Sequence, residues 1–448
     1  MTPRPRTHPL SAYGACALAF AALSACIPTS PRDRGDLHDA LVERTGYGVG
    51  EEDRTQPTMP EGIKIEDGLT EDEAISIALW NQPDLQVALT RLGFAKGDLQ
   101  EAGALPNPFF ALLLPLGPKQ LEITLFQSIA ALWRRPYKVE AASRDVERVA
   151  EMLVASGLDT VRDTRVAFAQ LYLAQNRLQL LQKAAQTWQR MHGLAKVRLS
   201  AGAASQLELT SVATDARAVE LEVLRQQNLV AQRRAELANL VFLPAAQQAA
   251  WDTMILVDPE APSAPGAIAA LLKHALAARP EVRAAELSME AAGARAGVAK
   301  AEIFDFMLIA DANGSGTQGF ELGPGAQITL PIFYQNQGAR TRAEAEFLQA
   351  TWRYQAAHAS ITREVKVAHA QLTRAQAALS AWPTEVVGPL QTNVSRAQSA
   401  YQAGGATYLQ VLEATRRLID AQLQGLELER EARRASAELF RSVGGKLK

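Results

Sequence analysis

Three short segments of this 448-residue chain occur twice, in the same order and about two hundred positions apart. Ala78-Leu79-Trp80-Asn81-Gln82-Pro83-Asp84 reads like Ala275-Leu276-Ala277-Ala278-Arg279-Pro280-Glu281, each closing an apolar helix start with Pro and an acid. Ile123-Thr124-Leu125 recurs as Ile328-Thr329-Leu330, and Ala201-Gly202-Ala203-Ala204-Ser205-Gln206-Leu207 as Ala403-Gly404-Gly405-Ala406-Thr407-Tyr408-Leu409. The offsets are 197, 205 and 202 residues. Three matched pairs with similar spacing mean duplication, and a duplicated unit sets the architecture before any local motif does.

Each copy has one grammar. A helix, about Thr70 to Ala104 and then Gly266 to Ile303, leads into a strand pair, a very long helix, a Gly-containing break and another long helix. Few aromatics and much Ala, Leu, Gln, Glu and Arg suit such helices. From Val139 to Leu199 no Pro occurs, and only Gly157 and Gly193 interrupt; as helix this run would reach roughly 90 Å. Apolar residues step by seven at Val154, Val161 and Phe168, at Ala216, Val223, Val230 and Leu237, and at Leu412, Ile419 and Leu426, the spacing of coiled-coil packing. The copies, 69–243 and 267–445, flank a linker or small side structure at 244–266, where Pro244, Pro259, Pro262 and Pro265 break helices. Residues 26–68, polar and rich in Pro and Gly, are expected to run as an extended tether along the surface.

The strand pairs carry a period of two. Gln120, Glu122 and Thr124 alternate with Leu121, Ile123 and Leu125. Phe304, Phe306, Leu308 and Ala310 alternate with Asp305, Met307, Ile309 and Asp311, then Gln327 and Thr329 with Ala326, Ile328 and Leu330. Such segments match barrel strands with an apolar face to lipid and a polar face to the lumen, or else a soluble hairpin on a helical core. Four strands cannot close a barrel, and lipid does not tolerate open sheet edges, so the membrane reading requires several chains to share one wall. Three chains would supply twelve strands.

The first residues read as an export signal: Arg4 and Arg6 precede an apolar run from Leu10 through Leu23, too short to span a bilayer comfortably. Leu23-Ser24-Ala25-Cys26 resembles a bacterial lipobox, which would make residues 1–25 a cleaved signal peptide and Cys26 an acylated, palmitate-bearing N-terminus; an ordinary signal with an incidental cysteine is the alternative. Cys16 would leave with the signal, so no intrachain disulfide is expected. Ile27 stands where an Asp would have pointed to the inner membrane.

These residues together resemble the TolC-like outer-membrane efflux protein family, from about Leu69 to Val443. The Ala-Gly turns followed by Leu, the Pro-acid helix starts and the Leu-Pro-Ile-Phe exit from the last strand carry the likeness, and the cysteine resembles the family's lipoprotein members. The resemblance implies a mainly α fold with a small membrane β part: a duplicated helix, strand pair and helical hairpin, trimerising into a twelve-stranded β-barrel and a periplasmic α-helical tunnel. It further implies a homotrimer, lipid-anchored in the outer membrane, serving as the passive exit duct of a tripartite efflux system with a periplasmic adaptor and an inner-membrane RND-type transporter. The tips Ala201, Gly202, Ser205, Ala403, Gly404, Gly405 and Thr407 would turn the chain and meet the adaptor. Where the family often places two acids, this chain has Gln410 and Glu413, with Glu208 and Ser211 in the first copy, so Glu413, Gln410 and Glu208 form a candidate gate ring with half the acidic pattern. Pro331-Ile332-Phe333-Tyr334-Gln335-Asn336-Gln337-Gly338 resembles the junction of the heavy-metal branch and points to cation export, although the needs of a bend explain it equally well.

Other classes find less support. Net charge of −2 lacks the basic excess of a nucleic-acid binder. No phosphate-cradling loop, helix-borne His pair or nucleophile motif asks for catalysis, and no cofactor is implied. His358 and His369, eleven positions apart, cannot share one metal on a helix. A periplasmic coiled-coil lipoprotein without a pore would explain the helices and the anchor but not the alternating strands, and a duct for type I protein secretion stays within the family.

Overall fold

In the computed structural model, residues 28–30, 32–50, 55–65, 67–114, 120–251, 254–314 and 320–446 are described. The export signal and Cys26 lie outside them. In chain order the elements are α1 (Arg34–Thr45), α2 (Glu71–Asn81), α3 (Pro83–Gly103), β1 (Phe109–Leu113), β2 (Glu122–Ser128), α4 (Ala130–Ser200), α5 (Gln206–Val241), a 3-10 turn (Ala245–Gln247), α6 (Gln248–Trp251), α7 (Ile268–Ala278) and α8 (Pro280–Ala301). They continue with β3 (Asp305–Gly314), β4 (Phe320–Thr329), α9 (Gln337–Trp382), a π-helical segment (Pro383–Val387), α10 (Gly388–Gln402) and α11 (Tyr408–Val443). Two compact units result: Met1–Asp33 with Leu89–Leu153 and Pro280–His358, and Arg34–Ala88 with Val154–Arg279 and Ala359–Lys448.

The duplication extends to helix punctuation. Each expected single helix before a strand pair is two, because the residue ahead of a proline is driven out of the helical region. Gln82 (ψ 119) precedes Pro83 and Arg279 (ψ 123) precedes Pro280, and in both copies an 11-residue helix gives way to one of 21 or 22. A reciprocal cap starts α2: Thr70 Oγ1 accepts from the Glu73 N–H at 3.2 Å while Glu73 Oε2 accepts from the Thr70 N–H at 2.9 Å. The long helix reaches 71 residues and takes Pro136 near its start. Its counterpart α9 gives way to the π turn at Pro383, whose ring nitrogen cannot donate to the helix.

In the second unit the heptad steps Val154, Val161 and Phe168 are fully or almost fully buried, as are Ala216, Leu237 and Leu412, whereas Val223, Val230, Ile419 and Leu426 are half-buried. The main core joins Ile77, Phe168, Leu171, Leu237 and Val241, each side chain contributing about 1.5–3 kcal/mol by leaving water. Leu243, Trp251, Met254 and Leu256 belong to the same core, and Leu69 bridges to Leu256 in parallel β fashion. The segment read as a linker or small side structure is the latter, packed into the core, its apolar residues overriding the helix-breaking prolines around them. The expectation of an extended tether is corrected. Asp36 in the first turn and the i, i+4 pair Leu37 and Leu41 make Arg34–Thr45 a helix, with both leucines buried. Leu41 packs where Gly157 carries no side chain; a Cβ there would lie 2.6 Å from Leu41 Cδ2.

The first unit holds one antiparallel sheet of order β1-β2-β3-β4. Tight packing supports it: Tyr137 rests on Gly297, where a Cβ would stand 2.5 Å from its ring, and Arg144 pairs with Glu290 at 2.9 Å.

Candidate functional site

Two regions carry the residues singled out in the sequence, the sheet and the hairpin tips. The sheet's register decides which side chains share a face, since directly paired residues of an antiparallel ladder point the same way. Phe110 pairs with Leu125, Leu125 with Ala310 and Ala310 with Pro324; Leu112 pairs with Ile123, Ile123 with Ala312 and Ala312 with Leu322; Phe306 pairs with Ile328. One face is thus almost wholly apolar across all four strands, with Gln127 its polar exception. It is also open: Leu322 is 73% exposed and Ile328 53%. The opposite face carries Thr124, Asp311, Glu122, Asn313, Glu321 and Gln327 among Phe109, Phe126, Met307 and Ile309. Thr124 Oγ1 donates to Asp311 at 3.1 Å, and Asn313 Nδ2 donates to the other Asp311 oxygen at 2.7 Å.

This arrangement is costly for a lone chain in water. A contiguous exposed apolar face and two unpaired edge strands, β1 and β4, are what soluble proteins avoid. Trp133, Phe304, Phe333 and Tyr334, all at least partly exposed, stand near the helix-facing end of the sheet, the place of an aromatic belt at a membrane interface. No described helix is long and apolar enough to cross a membrane.

The tips form as the repeated turns foretell. Gly202 (φ 68) and Gly404 (φ 77) take the left-handed conformation, while Gly405 does not. Ser205 Oγ accepts from the Glu208 N–H at 3.1 Å, and Thr407 and Gln410 close a reciprocal cap on α11. Ala201 and Ala403 lie in the turns beside these glycines. The two hairpins meet in a cluster of Trp188, Ala195, Val212 and Ala216 from the first copy with Tyr408 and Leu412 from the second. Tyr408 Oη donates to the Met191 carbonyl at 2.9 Å. Burial, reinforced by Tyr401 and moderated by Arg198, pushes the Tyr408 phenol up to about 12.

Arg198 organises this cluster, and sequence reasoning missed it. Its guanidinium pairs with Glu208 at 2.5 Å, donates to the Ala203 carbonyl at 2.8 Å and stands 5.4 and 5.0 Å from the ring centres of Tyr401 and Tyr408. The signal was a lone arginine four residues before the Gly202 turn, which spacing alone does not distinguish from a solvated one. The three candidate gate residues are each engaged: Glu208 with Arg198, Gln410 Oε1 accepting from the Thr407 N–H at 2.8 Å, and Glu413 with Arg417 at 2.8 Å. Glu413 stays exposed.

The junction after β4 has a structural explanation. Asn336 takes φ 58, donates to the Ala299 carbonyl at 2.9 Å and accepts from the Tyr334 hydroxyl at 3.3 Å, so the Asn-Gln-Gly run makes the bend. His358 packs edge-on against Tyr354, and His369 Nε2 lies 3.1 Å from the Gly266 carbonyl. Among the described residues no group of His, Cys, Asp and Glu is placed to hold a metal ion.

Comparison with known proteins agrees with this architecture. The model of the family described as "Outer membrane efflux protein" matches residues 271–445, covering almost all of the second copy. Among similar proteins, the cobalt-zinc-cadmium resistance protein CzcC of Cupriavidus metallidurans is 24% identical over 84% of this chain and 90% of its own length. The pyoverdine export outer membrane protein OpmQ of Pseudomonas putida is 28% identical over 84% and 85%. Among solved structures, CusC superposes with TM-score 0.70 at 20% identity, covering 89% of this chain and 99% of CusC. VceC of Vibrio cholerae superposes with TM-score 0.70 at 22% identity, covering 84% and 96%. These likenesses show that the mostly helical, duplicated fold is that of the TolC-like efflux channels.

Proposed function

We propose that three copies of this chain close a twelve-stranded barrel in the outer membrane and a helical tunnel beneath it, the passive exit duct of a tripartite efflux system. The observation that carries this reading is the sheet: an exposed apolar face, a hydrogen-bonded polar face opposite it, and two edges that only further strands can satisfy. Closure pairs β4 of one chain with β1 of the next, turning Leu322 and Ile328 to lipid and Asp311 to water. In lipid an unpaired edge is not viable, which makes the trimer part of the fold.

The remaining roles extend the same reading. Ala201, Gly202, Ser205, Ala403, Gly404, Gly405 and Thr407 present the tips to a periplasmic adaptor, which joins the duct to an inner-membrane RND-type transporter. Three Glu413 carboxylates, brought around the axis, form an electrostatic gate that favours cations, each tempered by its own Arg417. Cys26 carries the acyl anchor. In support, Pro28 sits against Gly103, where a Cβ would lie 2.0 Å from its Cδ, so the described chain starts beside the helix end that leads into β1. Cobalt, zinc and cadmium stand in the name of one relative and pyoverdine in that of another; a passive duct admits heavy-metal cations and organic cargo alike.

Purified full-length protein reconstituted in planar bilayers tests the proposal. Stable trimers with discrete current steps are expected; a water-soluble monomer giving no steps would contradict it. Intact mass of the mature protein checks the anchor, which should disappear in Cys26→Ser.

A further inference from the structure

Below the sheet in the first unit, α3, α4, α8 and α9 border a hollow of about 630 Å³. Its lining reaches from Arg91 on α3 to Glu346 on α9, so the helices descending from the two edge strands face the same space. Alanines from all four helices make the floor, joined by Phe94, which is 72% exposed. The small floor leaves room, and Phe94 offers a flat apolar surface to whatever enters. The volume falls within the range of sites for drug-sized molecules.

The charges around this floor settle what fits. Asp145 is already shared by two bases, Arg148 at 3.1 Å and Arg295. Arg91, Lys138 and Arg342 also line the hollow, as do Asp98, Glu302 and Glu346, and none of these six makes an ion pair among the described residues. A bare metal cation would meet bases set among the carboxylates, and among the described residues no three His, Cys, Asp or Glu side chains are grouped to hold one. A hydrocarbon would leave both signs unanswered. A molecule with an apolar body and charges of both signs answers floor and rim together.

We propose that this hollow is a transient holding site, one per chain, for zwitterionic organic amphiphiles passing through the duct; the site rests on the duct reading. Arg91 on α3 and Glu346 on α9 are its paired determinants, one for each sign of the cargo.

The test uses ε-dansyl-lysine, an aromatic zwitterion, and neutral dansylamide as probes of unitary current through the full-length protein in planar bilayers, each added on the helical side. Unitary steps before probe addition establish the duct. The zwitterion should then block with dwell times about tenfold longer than dansylamide, the effect of two partly solvated charge contacts. In the double variant Arg91→Gln/Glu346→Gln the two probes should become equal, while Ala142→Phe, which fills the floor, should shorten both. Equal dwell times in the wild type, or a double variant that keeps the preference, would overturn the site. Zinc chloride blocking with the same dependence on Arg91 and Glu346 would overturn its ligand class. Absence of unitary steps before any probe would bring down the duct reading on which the site stands.

Discussion

Arg198 shows how one side chain ties two copies of a unit together. It satisfies Glu208 and a tip carbonyl on its own hairpin while its flat cation faces two tyrosines of the other, a combination of charge and ring contact worth about 1–2 kcal/mol in a partly buried setting. Arg198→Ala is expected to lower the thermal midpoint of the detergent-solubilised protein and to speed proteolysis at Gly202 and Gly404, with Arg198→Lys recovering only part of either. Glu71 makes a second residue-scale case. Burial is the main cause holding its carboxyl above the usual range, against the pull of Arg165. The folded state therefore binds that proton more readily than the unfolded chain, and the charged form costs stability above the folded pKa but nothing below the unfolded one. Glu71→Gln should raise the melting temperature at pH 8, with the gain vanishing as pH falls below 4; an equal gain at both pH values would point to packing instead.

At the scale of elements, the prolines at 83 and 280 matter more than the apolar runs around them. The run pattern asks for one helix before each strand pair, yet the residue ahead of each proline is extended, and the chain turns twice where one turn had been expected. Helix α1 shows the reverse failure. Its neighbourhood is so rich in Gly and Pro that composition reads as tether, while two leucines four residues apart are enough to dock a 12-residue helix on Gly157. Leu41→Ala should then cost about 2–5 kcal/mol, the range for a truncated core leucine, as measured by denaturant unfolding. A surface tether would lose almost nothing. The repeat, the coiled-coil steps, the strand alternation and the tip turns were legible because each is a local periodicity or a backbone requirement. Arg198, the helix in the tether and the docking of Leu256 were not, because each depends on partners far away in the chain.

For the molecule as a whole, the sheet is the part that single-chain physics leaves unfinished. The helices bury their apolar steps within the chain, but the strands turn Leu322, Ile328 and Leu308 outward and end in two open edges. In the duct proposed above, lipid on one side and further copies on both edges would resolve the deficit together. Leu308→Arg on the apolar face is expected to cost about 2–4 kcal/mol near the bilayer midplane and to reduce trimer recovered from the outer membrane. Gln327→Arg on the opposite face should leave trimer yield unchanged and alter only conductance.

The most direct measurement of which face meets lipid is spin-label accessibility in proteoliposomes, with single cysteines placed at Leu308, Ile328, Asp311 and Gln327. Labels at 308 and 328 should relax with oxygen dissolved in the bilayer, and those at 311 and 327 with a water-soluble nickel chelate. Four labels all reporting water, or an order that ignores the alternation, would contradict the account.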